Sequence, residues 1–364
     1  MEQTCIEIAA SNVTLDCRGH TLTGAGEASN DTAGIYIAGS ADAPLSDVSV
    51  ESCAITGHQF GLYAGHLNGG NIFNNQARRN NGIGFYLTGL SDVSVVANTA
   101  EGNDPDGMLL IGNTNVGLAD NAAFYNRMRG ITFEGCQGCV ASRNESHSHG
   151  VLGFGIYGSR DMALEENVAY NNRYHGFAIL HEAGSATFRG NESYANERTG
   201  FFLQESQDNY YIDNVSHDNA LDGLAVFNGS QPNTFEDNTL RDNGGYGVFS
   251  DAPIDSATFA GNTFSGNALG ETGSSDPEAI DWCSYTGFGP EGPCDPIFEG
   301  GPNLKDPQTS GVVIRDARIV GDPIYYPSFG DLWMSTWADD GRLFLTWGDG
   351  TGFGDGYPVG YPAY

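Results

Sequence analysis

Apolar and polar residues alternate along this chain in runs of three or four residues, and no stretch sustains the helical period of about 3.6 residues. Most runs follow a glycine, as in residues 130–133 (Gly-Ile-Thr-Phe) and 223–226 (Gly-Leu-Ala-Val). Alternation of period two over so short a run is typical of a β-strand with one buried face. The pattern therefore predicts an all-β chain built from many short strands.

The runs repeat along the chain, and asparagine marks the repeat. Two asparagines five residues apart recur every 23 or 24 residues. The first column is Asn75, Asn98, Asn121, Asn144, Asn167, Asn191, Asn214, Asn238 and Asn262, and the second is Asn80, Asn103, Asn126, His149, Asn172, Asn196, Asn219, Asn243 and Asn267. A fixed period of roughly 20–50 residues is the signature of a stacked-repeat architecture.

Each repeat also has an apolar position three residues before its first asparagine and a mostly small one two residues after it. One repeat cannot bury its apolar face alone, whereas stacked repeats share a continuous core. Asparagine tolerates the left-handed backbone of a tight corner, and its amide can bond the equivalent amide one turn away. We therefore predict a right-handed parallel β-helix of roughly eleven turns over residues 1–270. Because Gly155 follows Gly130 by 25 residues, we expect two extra residues to bulge near residues 147–153.

The composition changes near residue 270, where the asparagine period stops. All four tryptophans and ten of the fourteen prolines come after this point. Residues 271–310 are rich in Gly, Pro, Ser and Asp, which predicts a linker or a cap. Residues 311–364 predict a short, irregular β-rich tail with strands at 312–314, 333–337 and 343–347, a fragment of a second domain that is too small for an ordinary core.

The charge is strongly acidic, with a formal net value of −31 from 46 acidic and 15 basic residues. Lys305 is the only lysine. Hydrated carboxylates in excess, with almost no lysine, indicate a protein adapted to high salt, and calcium-loaded loops are the alternative. Nucleic acid is excluded as a partner because no basic stripe exists to neutralise phosphates. No run of about 20 apolar residues exists, so we predict no membrane span.

The seven cysteines suit an oxidising exterior. Cys5 with Cys17, and Cys283 with Cys294, are candidate disulfides. The Cys136–Cys139 spacing favours a corner disulfide or free thiols over zinc, which needs about four ligands. The chain shows no secretory signal. We expect a preceding segment that includes one, and we predict an extracellular or cell-surface location.

Several segments resemble a known superfamily. Residues 167–177 (NVAYNNRYHGF), 214–224 (NVSHDNALDGL) and 12–24 (NVTLDCRGHTLTG) resemble the repeats of pectate-lyase-like β-helices, in particular alginate C5-epimerase modules, NosD-type proteins and archaeal surface proteins. Residues 337–350 (WADDGRLFLTWGDG) are similar to the first blade of β-propellers related to glycosidases. The resemblance implies a polysaccharide ligand. The epimerases carry an Asp-Pro-His-Glu motif, to which residues 104–107 (Asp-Pro-Asp-Gly) are the nearest match.

In that superfamily, ligands lie along the strand after the corner glycine. The outward positions there are predicted to be Tyr86, Thr132, Tyr157, Phe202 and Phe249, of which Tyr157 and Phe202 are the candidate sugar-stacking residues. Two charged columns run beside this strand. They contain Asp104, Arg127, Arg173 and Glu197 in one, and Asp106, Arg129, His175, Thr199, Asp222 and Tyr246 in the other. Asp104, Asp106, Arg129 and Asp222 complete the predicted substrate-binding set.

Arginine can bind a uronate carboxylate with two parallel hydrogen bonds. We therefore predict that Arg127 and Arg173 neutralise the negative charge of the substrate. His175 or Tyr174 would then remove or return the C5 proton. The alternative for these columns is a set of salt bridges between turns. A copper site at Met128, His147 and His149 is a further alternative. A hydrolase with a cluster of aspartates on adjacent turns fits less well, because the turns next to Asp104 and Asp106 have arginine instead of aspartate.

The sequence thus predicts an extracellular or cell-surface β-helix that binds a polysaccharide, with uronate lyase or C5-epimerase chemistry as its candidate activity. Two alternatives stay open: a non-catalytic surface spacer or adhesin, and a NosD-like copper-handling protein. No cofactor is predicted beyond the calcium mentioned above.

The charge generates one prediction. Raising KCl from about 0.1 M to about 3 M shortens the Debye length from about 10 Å to below about 3 Å, so repulsion among the acidic groups should weaken and the melting temperature should rise. Thermal unfolding across this range measures the effect. A flat or falling curve would contradict the adaptation to salt.

Overall fold

The computed structural model describes residues 4–25, 32–230, 232–252 and 259–274, and four short strands beyond them: Phe288–Gly289, Gly292–Pro293, Met334–Trp337 and Leu343–Thr346. Every regular element in this part of the chain is a β-strand. The chain divides into two compact units, Met1–Gly301 and Pro302–Tyr364.

Three parallel sheets contain all the described strands of the first unit up to Ser274. The first sheet contains Ile6–Ile8, Ala33–Ala38, Phe60–Gly65, Ile83–Thr88, Met108–Ile111, Ile131–Glu134, Phe154–Tyr157, Phe177–Leu180, Phe201–Gln204, Leu224–Phe227, Tyr246–Ser250 and Gly270–Ser274. The second contains Thr14–Asp16, Leu45–Glu51, Leu67–Phe73, Ser94–Val96, Gly117–Ala119, Val140–Ser142, Ala163–Glu165, Thr187–Arg189, Tyr210–Ile212, Thr234–Glu236 and Phe259–Ala260. The third contains Thr21–Thr23, Ala54–Thr56, Gln76–Arg78, Thr99–Glu101, Ala122–Phe124, Glu145–His147, Val168–Tyr170, Glu192–Tyr194, Val215–His217, Thr239–Arg241 and Thr263–Ser265.

The chain visits the sheets in rotation, so that each circuit is one turn of a parallel β-helix. Within the described residues, eleven turns contribute a strand to all three sheets, and a twelfth strand extends the first sheet. We number the turns 1 to 11 by their strand in the first sheet. Each strand pairs in parallel with its equivalents one turn away, for example Val95 with Leu118 and Ala100 with Ala123. The predicted architecture and the predicted columns are confirmed.

The core lies inside the solenoid and consists of the inward columns of the three sheets. Large apolar side chains stack on their equivalents. The rings of Phe188, Tyr211 and Phe235 lie 4.7 and 5.1 Å apart, and those of Phe154 and Phe177 lie 4.7 Å apart. These side chains are almost fully buried. Full burial of one such side chain contributes about 1.5–3 kcal/mol, so stacked columns supply the stability that a single turn lacks.

Both asparagine columns are buried hydrogen-bond ladders at two of the three corners. The Asn98 Oδ1 atom accepts bonds from the backbone N–H and the side-chain Nδ2 of Asn75, at 2.9 and 3.1 Å. The Nδ2 atom of Asn98 donates to the Ile72 carbonyl oxygen and to the Asn121 Oδ1 atom. Each amide therefore satisfies the backbone of neighbouring turns at corners where no sheet pairing is available.

His149 replaces asparagine in the second ladder. Its Nδ1 atom accepts the Asn126 backbone N–H at 3.2 Å, and its Nε2 atom lies 3.1 Å from the Ala123 carbonyl oxygen. This arrangement requires the neutral ring with its proton on Nε2. Burial is the main cause that lowers the pKa of His149 to about 3, with a smaller contribution from the charge of His147.

The predicted bulge near residues 147–153 is wrong. Ile131 pairs with Phe154, so Gly153 rather than Gly155 is the equivalent of Gly130. This turn has the ordinary 23-residue length. In turns 5 to 10 a glycine immediately precedes the first-sheet strand, and a second glycine two residues after Gly153 obscured the register in the sequence. As a result, Tyr157 lies two positions further along its strand than predicted.

The predicted Cys5–Cys17 disulfide is also wrong. Cys17 bonds to Cys53, with the two Cα atoms 4.8 Å apart. Both residues occupy the corner of the first ladder in consecutive turns, and Cys53 donates its backbone N–H to the Asn75 Oδ1 atom. Cys5 instead is exposed, and its sulfur lies 3.8 Å from the His58 Nε2 atom. Cys283 and Cys294 lie outside the described residues.

In the tail, Met334–Trp337 pairs antiparallel with Leu343–Thr346, at the two strand positions that the sequence predicts there. The predicted strand at residues 312–314 lies outside the described residues, as does most of the predicted linker. The domain boundary at residue 270 remains a prediction.

The ladder generates a stability prediction. Replacing Asn191 by leucine leaves the Asn167 amide groups, the Leu164 carbonyl oxygen and the Asn214 Oδ1 atom without this partner. Each buried polar group without a partner costs about 1–3 kcal/mol, so we expect a loss of at least about 3 kcal/mol in the free energy of unfolding. Urea midpoints measure it. Asn71→Leu, on an exposed second-sheet position, is the control, and equal midpoints for the two variants would contradict a buried ladder.

A second prediction concerns pH. The unfolded chain protonates His149 near its ordinary pKa of 6.5, whereas the folded chain does so only near 3. The unfolded state therefore binds more protons between these values, and stability falls as the pH falls through this window. His149→Asn restores the ladder residue and removes this contribution, which amounts to about 1.4 kcal/mol per pH unit below 6.5.

The measurement compares urea midpoints at about pH 7 and about pH 4.5. The wild type should lose about 2–3 kcal/mol more than His149→Asn over this interval. His20→Asn, at an exposed position, is the matched control. An identical acid sensitivity of the wild type and His149→Asn would show that this ring is not held neutral by burial.

Candidate functional site

The outer surface of the first sheet, which we call the front face, carries three columns of side chains in register. The column preceding the strands contains Phe60, Ile83, Asp106, Arg129, Leu152, His175, Thr199, Asp222 and Tyr246. The middle column contains Tyr36, Tyr63, Tyr86, Leu109, Thr132, Gly155, Ala178, Phe202, Ala225 and Phe249. The third contains Thr88, Ile111, Glu134, Tyr157, Leu180, Gln204 and Phe227.

The front face is not a row of exposed aromatic rings. Tyr86 is half-buried, whereas Thr132, Phe202 and Phe249 are 0, 2 and 7 % exposed. Tyr157 lies in the third column, and its ring folds back over Gly155, where a Cβ atom would come within 2.7 Å of the Tyr157 ring. Glycine at this position therefore makes room for the tyrosine ring beside Thr132.

Two arginines of turn 6 are paired with carboxylates of turn 5. Arg127 contacts both oxygens of Asp104 at 3.1 and 3.2 Å, and both side chains are about half exposed. Arg129 holds Asp106 with two side-chain bonds of 2.7 and 3.1 Å and also contacts Glu134 at 3.2 Å. Burial disfavours the charge on Arg129, but the bonds and charge of Asp106 outweigh it and raise the pKa of the guanidinium.

The Arg129 group also includes Tyr157. The guanidinium carbon lies 5.8 Å from the centre of the Tyr157 ring, and Asp106 is only 1 % exposed. Burial raises the pKa of Tyr157, and the nearby arginine opposes that shift. Arg129 is therefore held by two carboxylates and a ring, which makes it a rigid part of the front face rather than a mobile side chain.

A second group of predicted residues lies two turns further along, where the chain enters turns 8 and 9. His175 is 3 % exposed, and its ring stacks on Phe202 at 4.4 Å. The Arg198 guanidinium lies 4.4 Å above the Tyr174 ring, a cation–π contact. Asp222 accepts the Tyr246 backbone N–H at 2.6 Å.

This second group contains buried polar atoms without hydrogen-bond partners in the described part of the chain. They are the Arg173 Nη1, Tyr174 Oη and Thr199 Oγ1 atoms. Buried polar atoms are normally paired, so three such atoms in two consecutive loops mark a place where a further polar group would be stabilised. All three can donate a hydrogen bond.

The predicted site residues thus form two groups rather than one. Arg127 and Arg173 occupy the same column, but Gly150 lies between them in register. Two strand spacings separate the arginines by about 10 Å along the axis. Asp104, Asp106, Arg127, Arg129 and Tyr157 make one group, and Arg173, Tyr174, His175, Phe202 and Asp222 make the other.

The sequence predicted Tyr86 as an outward residue, but not the aromatic cluster around it at the start of the front face. Tyr63 stacks on Tyr86 at 5.1 Å and lies 5.1 Å from Tyr36, and Phe60 meets Tyr63 and Tyr86 edge-on at 5.7 and 5.3 Å. All four rings are half-buried. Tyr36, Tyr63 and Tyr86 share one register position, which could have revealed them. Turns 2 and 3, however, precede the regular asparagine period that aligns the repeats.

A second aromatic column was also missed, on the outer surface of the third sheet. It consists of Phe124, His147, Tyr170, Tyr194 and His217, with neighbouring rings 4.5–5.3 Å apart and nearly parallel. The rings cover one another's faces, which leaves only edges to solvent and indicates a stabilising role. His147 lies in this outer column, whereas His149 lies inside the solenoid, so the two histidines of the copper hypothesis do not face a common point.

Within the described residues, no group of three or more His, Cys, Asp or Glu side chains could hold a metal ion. Calcium therefore remains a prediction without a located site. The same part of the chain contains no helix that is long and apolar enough to cross a membrane.

Known structures share this fold. The periplasmic alginate epimerase AlgG is 17 % identical with a TM-score of 0.52, over 67 % of this chain and 68 % of that chain. The A-module of the Azotobacter vinelandii mannuronan C-5 epimerase AlgE6 is 17 % identical with a TM-score of 0.52, over 74 % and 87 %. PfbA, a surface adhesin of Streptococcus pneumoniae, is 10 % identical with a TM-score of 0.51, over 69 % and 83 %. Such low identities establish the fold alone.

No curated protein sequence matches this chain significantly. The sequence signature described as "Right handed beta helix region" matches residues 1–135 and 120–269. The two matches together span most of the chain and coincide with the three-sheet solenoid. The chain therefore belongs to the right-handed β-helix family.

Proposed function

We propose that this protein binds an acidic polysaccharide along its front face. The observation that carries the proposal is the set of three buried donors without partners, at Arg173, Tyr174 and Thr199. A carboxylate is acceptor-only when ionised, so it can satisfy several donors at once, and its bond to a guanidinium is charge-assisted. A uronate unit presents such a group on a sugar ring.

Neighbouring parts of the front face supply further contacts for a chain of sugars. Arg127 is exposed, and an exposed ion pair contributes only about 0–1 kcal/mol, so Arg127 can exchange Asp104 for a ligand carboxylate at little cost. The half-buried rings of Tyr36, Tyr63 and Tyr86 continue the same face and offer edges and hydroxyl groups to sugars. The solenoid presents these groups along one line, which suits an extended polymer.

The structural neighbours make polysaccharide the first ligand class to test, because two of them are named as epimerases of alginate or mannuronan. The Cys17–Cys53 disulfide supports an extracellular or cell-surface location, since disulfides persist in oxidising compartments. Both the ligand class and the location are proposals for this chain.

The finer proposal concerns chemistry at the same place. Pairing of a uronate carboxylate with Arg173 acidifies the C5 proton, and His175 as the neutral imidazole, or Tyr174 as the phenolate, then accepts that proton. Return of a proton to the opposite face of C5 gives the epimer, whereas cleavage of the bond from C4 to the glycosidic oxygen gives an unsaturated product. Arg127, Arg129, Asp104, Asp106, Tyr157, Phe202 and Asp222 bind and position the chain in this scheme.

A non-catalytic surface rod is the second candidate, and the ion pairs between turns favour it. Arginines pair with carboxylates one turn away, as in Arg78–Glu101, Arg127–Asp104, Arg143–Asp120 and Arg189–Asp213. Such pairs prevent like-charge columns in an acidic stack, which a spacer needs as much as a binding protein does. Ligand binding separates the two candidates.

The test measures thermal unfolding with uronate oligomers in molar salt, since at low salt the protein's own negative field repels an anionic ligand. A ligand at 100 times its dissociation constant stabilises the folded state by about 2.7 kcal/mol, and we expect a corresponding rise in melting temperature. Neutral glucans should give a smaller rise, because they offer no carboxylate to the arginine.

Arg173→Ala should abolish the difference between uronates and neutral glucans. Arg189→Ala is the matched control, because Arg189 lies in the second sheet, away from the front face. Release of an unsaturated or epimerised product would establish the chemistry as well. Absence of any shift across a panel of uronates, with both variants folded, would remove the binding proposal and leave the surface rod.

A further inference from the structure

Cys136, Cys139 and Met162 lie at the corner between the first and second sheets in turns 6 and 7. Cys136 and Cys139 are 1 and 0 % exposed, and both are free thiols. Between them, Gln137 is exposed and Gly138 is half-buried, so the thiols lie one residue layer beneath the surface. Met162, 2 % exposed, is also buried in the core of the solenoid.

The register of the solenoid places Met162 beside Cys139. Ala163 donates its backbone N–H to the Cys139 carbonyl oxygen, and Val140 pairs with Ala163. Cys139 and Met162 are therefore equivalent residues of consecutive turns, about 4.8 Å apart at the backbone. Since both side chains point inward, the flexible thioether of Met162 is within reach of the Cys139 sulfur.

The two thiols contact each other and are held as ladder residues are. A hydrogen bond joins Cys136 to Cys139. Each thiol also donates to a carbonyl oxygen of the preceding turn at 3.7 Å, Cys136 to Leu110 and Cys139 to Asn113. The thiolate is the form that binds metals, so an entering ion replaces these S–H bonds with bonds to sulfur.

We propose that Cys136, Cys139 and Met162 form a binding site for one soft monovalent metal ion, of the class of Cu(I) and Ag(I). Thiolate and thioether donors select such ions, which accept two or three ligands. The set has too few donors for structural zinc and no oxygen ligand for calcium. On binding, both thiols release their protons to solvent, and the ion joins turn 6 to turn 7.

The proposal is independent of the polysaccharide proposal, because this corner lies inside the solenoid and not on the front face. It also differs from the copper set predicted from the sequence, since none of Met128, His147 and His149 takes part. The donors here are the thiols of Cys136 and Cys139 and the thioether of Met162, which is one turn from Cys139 in register.

The experiment uses the full chain with Cys5, Cys283 and Cys294 replaced by serine, so that the Cys136–Cys139 pair holds the only thiols outside the Cys17–Cys53 disulfide. Silver nitrate is the probe, in chloride-free nitrate salt to avoid precipitation. We expect one equivalent of Ag(I) to bind, with a thiolate-to-metal band in the ultraviolet and a rise in melting temperature.

Two variants test the donors separately. Cys139→Ala should weaken Ag(I) binding by at least about 100-fold, because a single thiolate remains. Met162→Leu keeps the volume and both thiols, and it should weaken binding by about tenfold, because the thioether is the weakest of the three donors. Met128→Leu, a methionine outside the cluster, is the control and should leave binding unchanged.

Several results would overturn the proposal. One is Ag(I) binding to the starting protein that is no tighter than to Cys139→Ala. Another is unchanged affinity in Met162→Leu, which would reduce the site to a dithiol. A third is a mass about 2 Da below that of the dithiol before any metal is added, which would show that Cys136 and Cys139 form a disulfide. If Cys139→Ala does not fold, the Met162→Leu comparison decides alone.

Discussion

The structure depends on the in-register contact between equivalent residues of consecutive turns. Backbone pairing provides this contact within the three sheets, and the buried asparagine amides provide it at the corners, where the backbone would otherwise lack partners. An amide one residue out of place would leave several buried groups unpaired in two turns at once. The ladders therefore hold the repeat length at 23 or 24 residues and align every other column.

This alignment explains how the front face acquires its chemistry. A column on one sheet repeats at the strand spacing, so charged residues in successive turns become neighbours whether or not they cooperate. In turns 5 and 6 the outcome is closed ion pairs, in which Arg129 is fully engaged by Asp106 and Glu134. In turns 8 and 9 the outcome is different, because Arg173, Tyr174 and Thr199 bury donors without satisfying them. The second arrangement is the one that favours a ligand.

Several features that distinguish this chain from a uniform repeat occur at corner positions where another residue replaces asparagine. Cys53 takes the ladder position in turn 2 and adds a covalent tie to Cys17. His149 keeps the hydrogen bond of the ladder but makes it sensitive to acid. At the third corner, Cys136 takes the register position of Asn113 in the preceding turn and brings a buried thiol there. In each case the backbone geometry of the corner is retained, and a different side chain brings new chemistry to the same buried place.

The sequence by itself determined the solenoid, because the ladder asparagines and the inward apolar columns are local signals that repeat and can be aligned without coordinates. It also placed Tyr86, Thr132, Phe202 and Phe249 on the front face, since alternation along a strand decides which side chains point outward. Register was less secure where the local signal was duplicated, as at Gly153 and Gly155. Turns 1 to 3 concealed the disulfide partner Cys53 and the rings of Tyr36 and Tyr63 that lie beside Tyr86. Only the tertiary structure decided that Arg127 and Arg129 are paired, that His175 is buried against Phe202, and that Met162 lies beside Cys139. Those outcomes depend on rotamers, burial and contacts between turns, and a one-dimensional pattern specifies the column of a side chain but not the partner that it reaches.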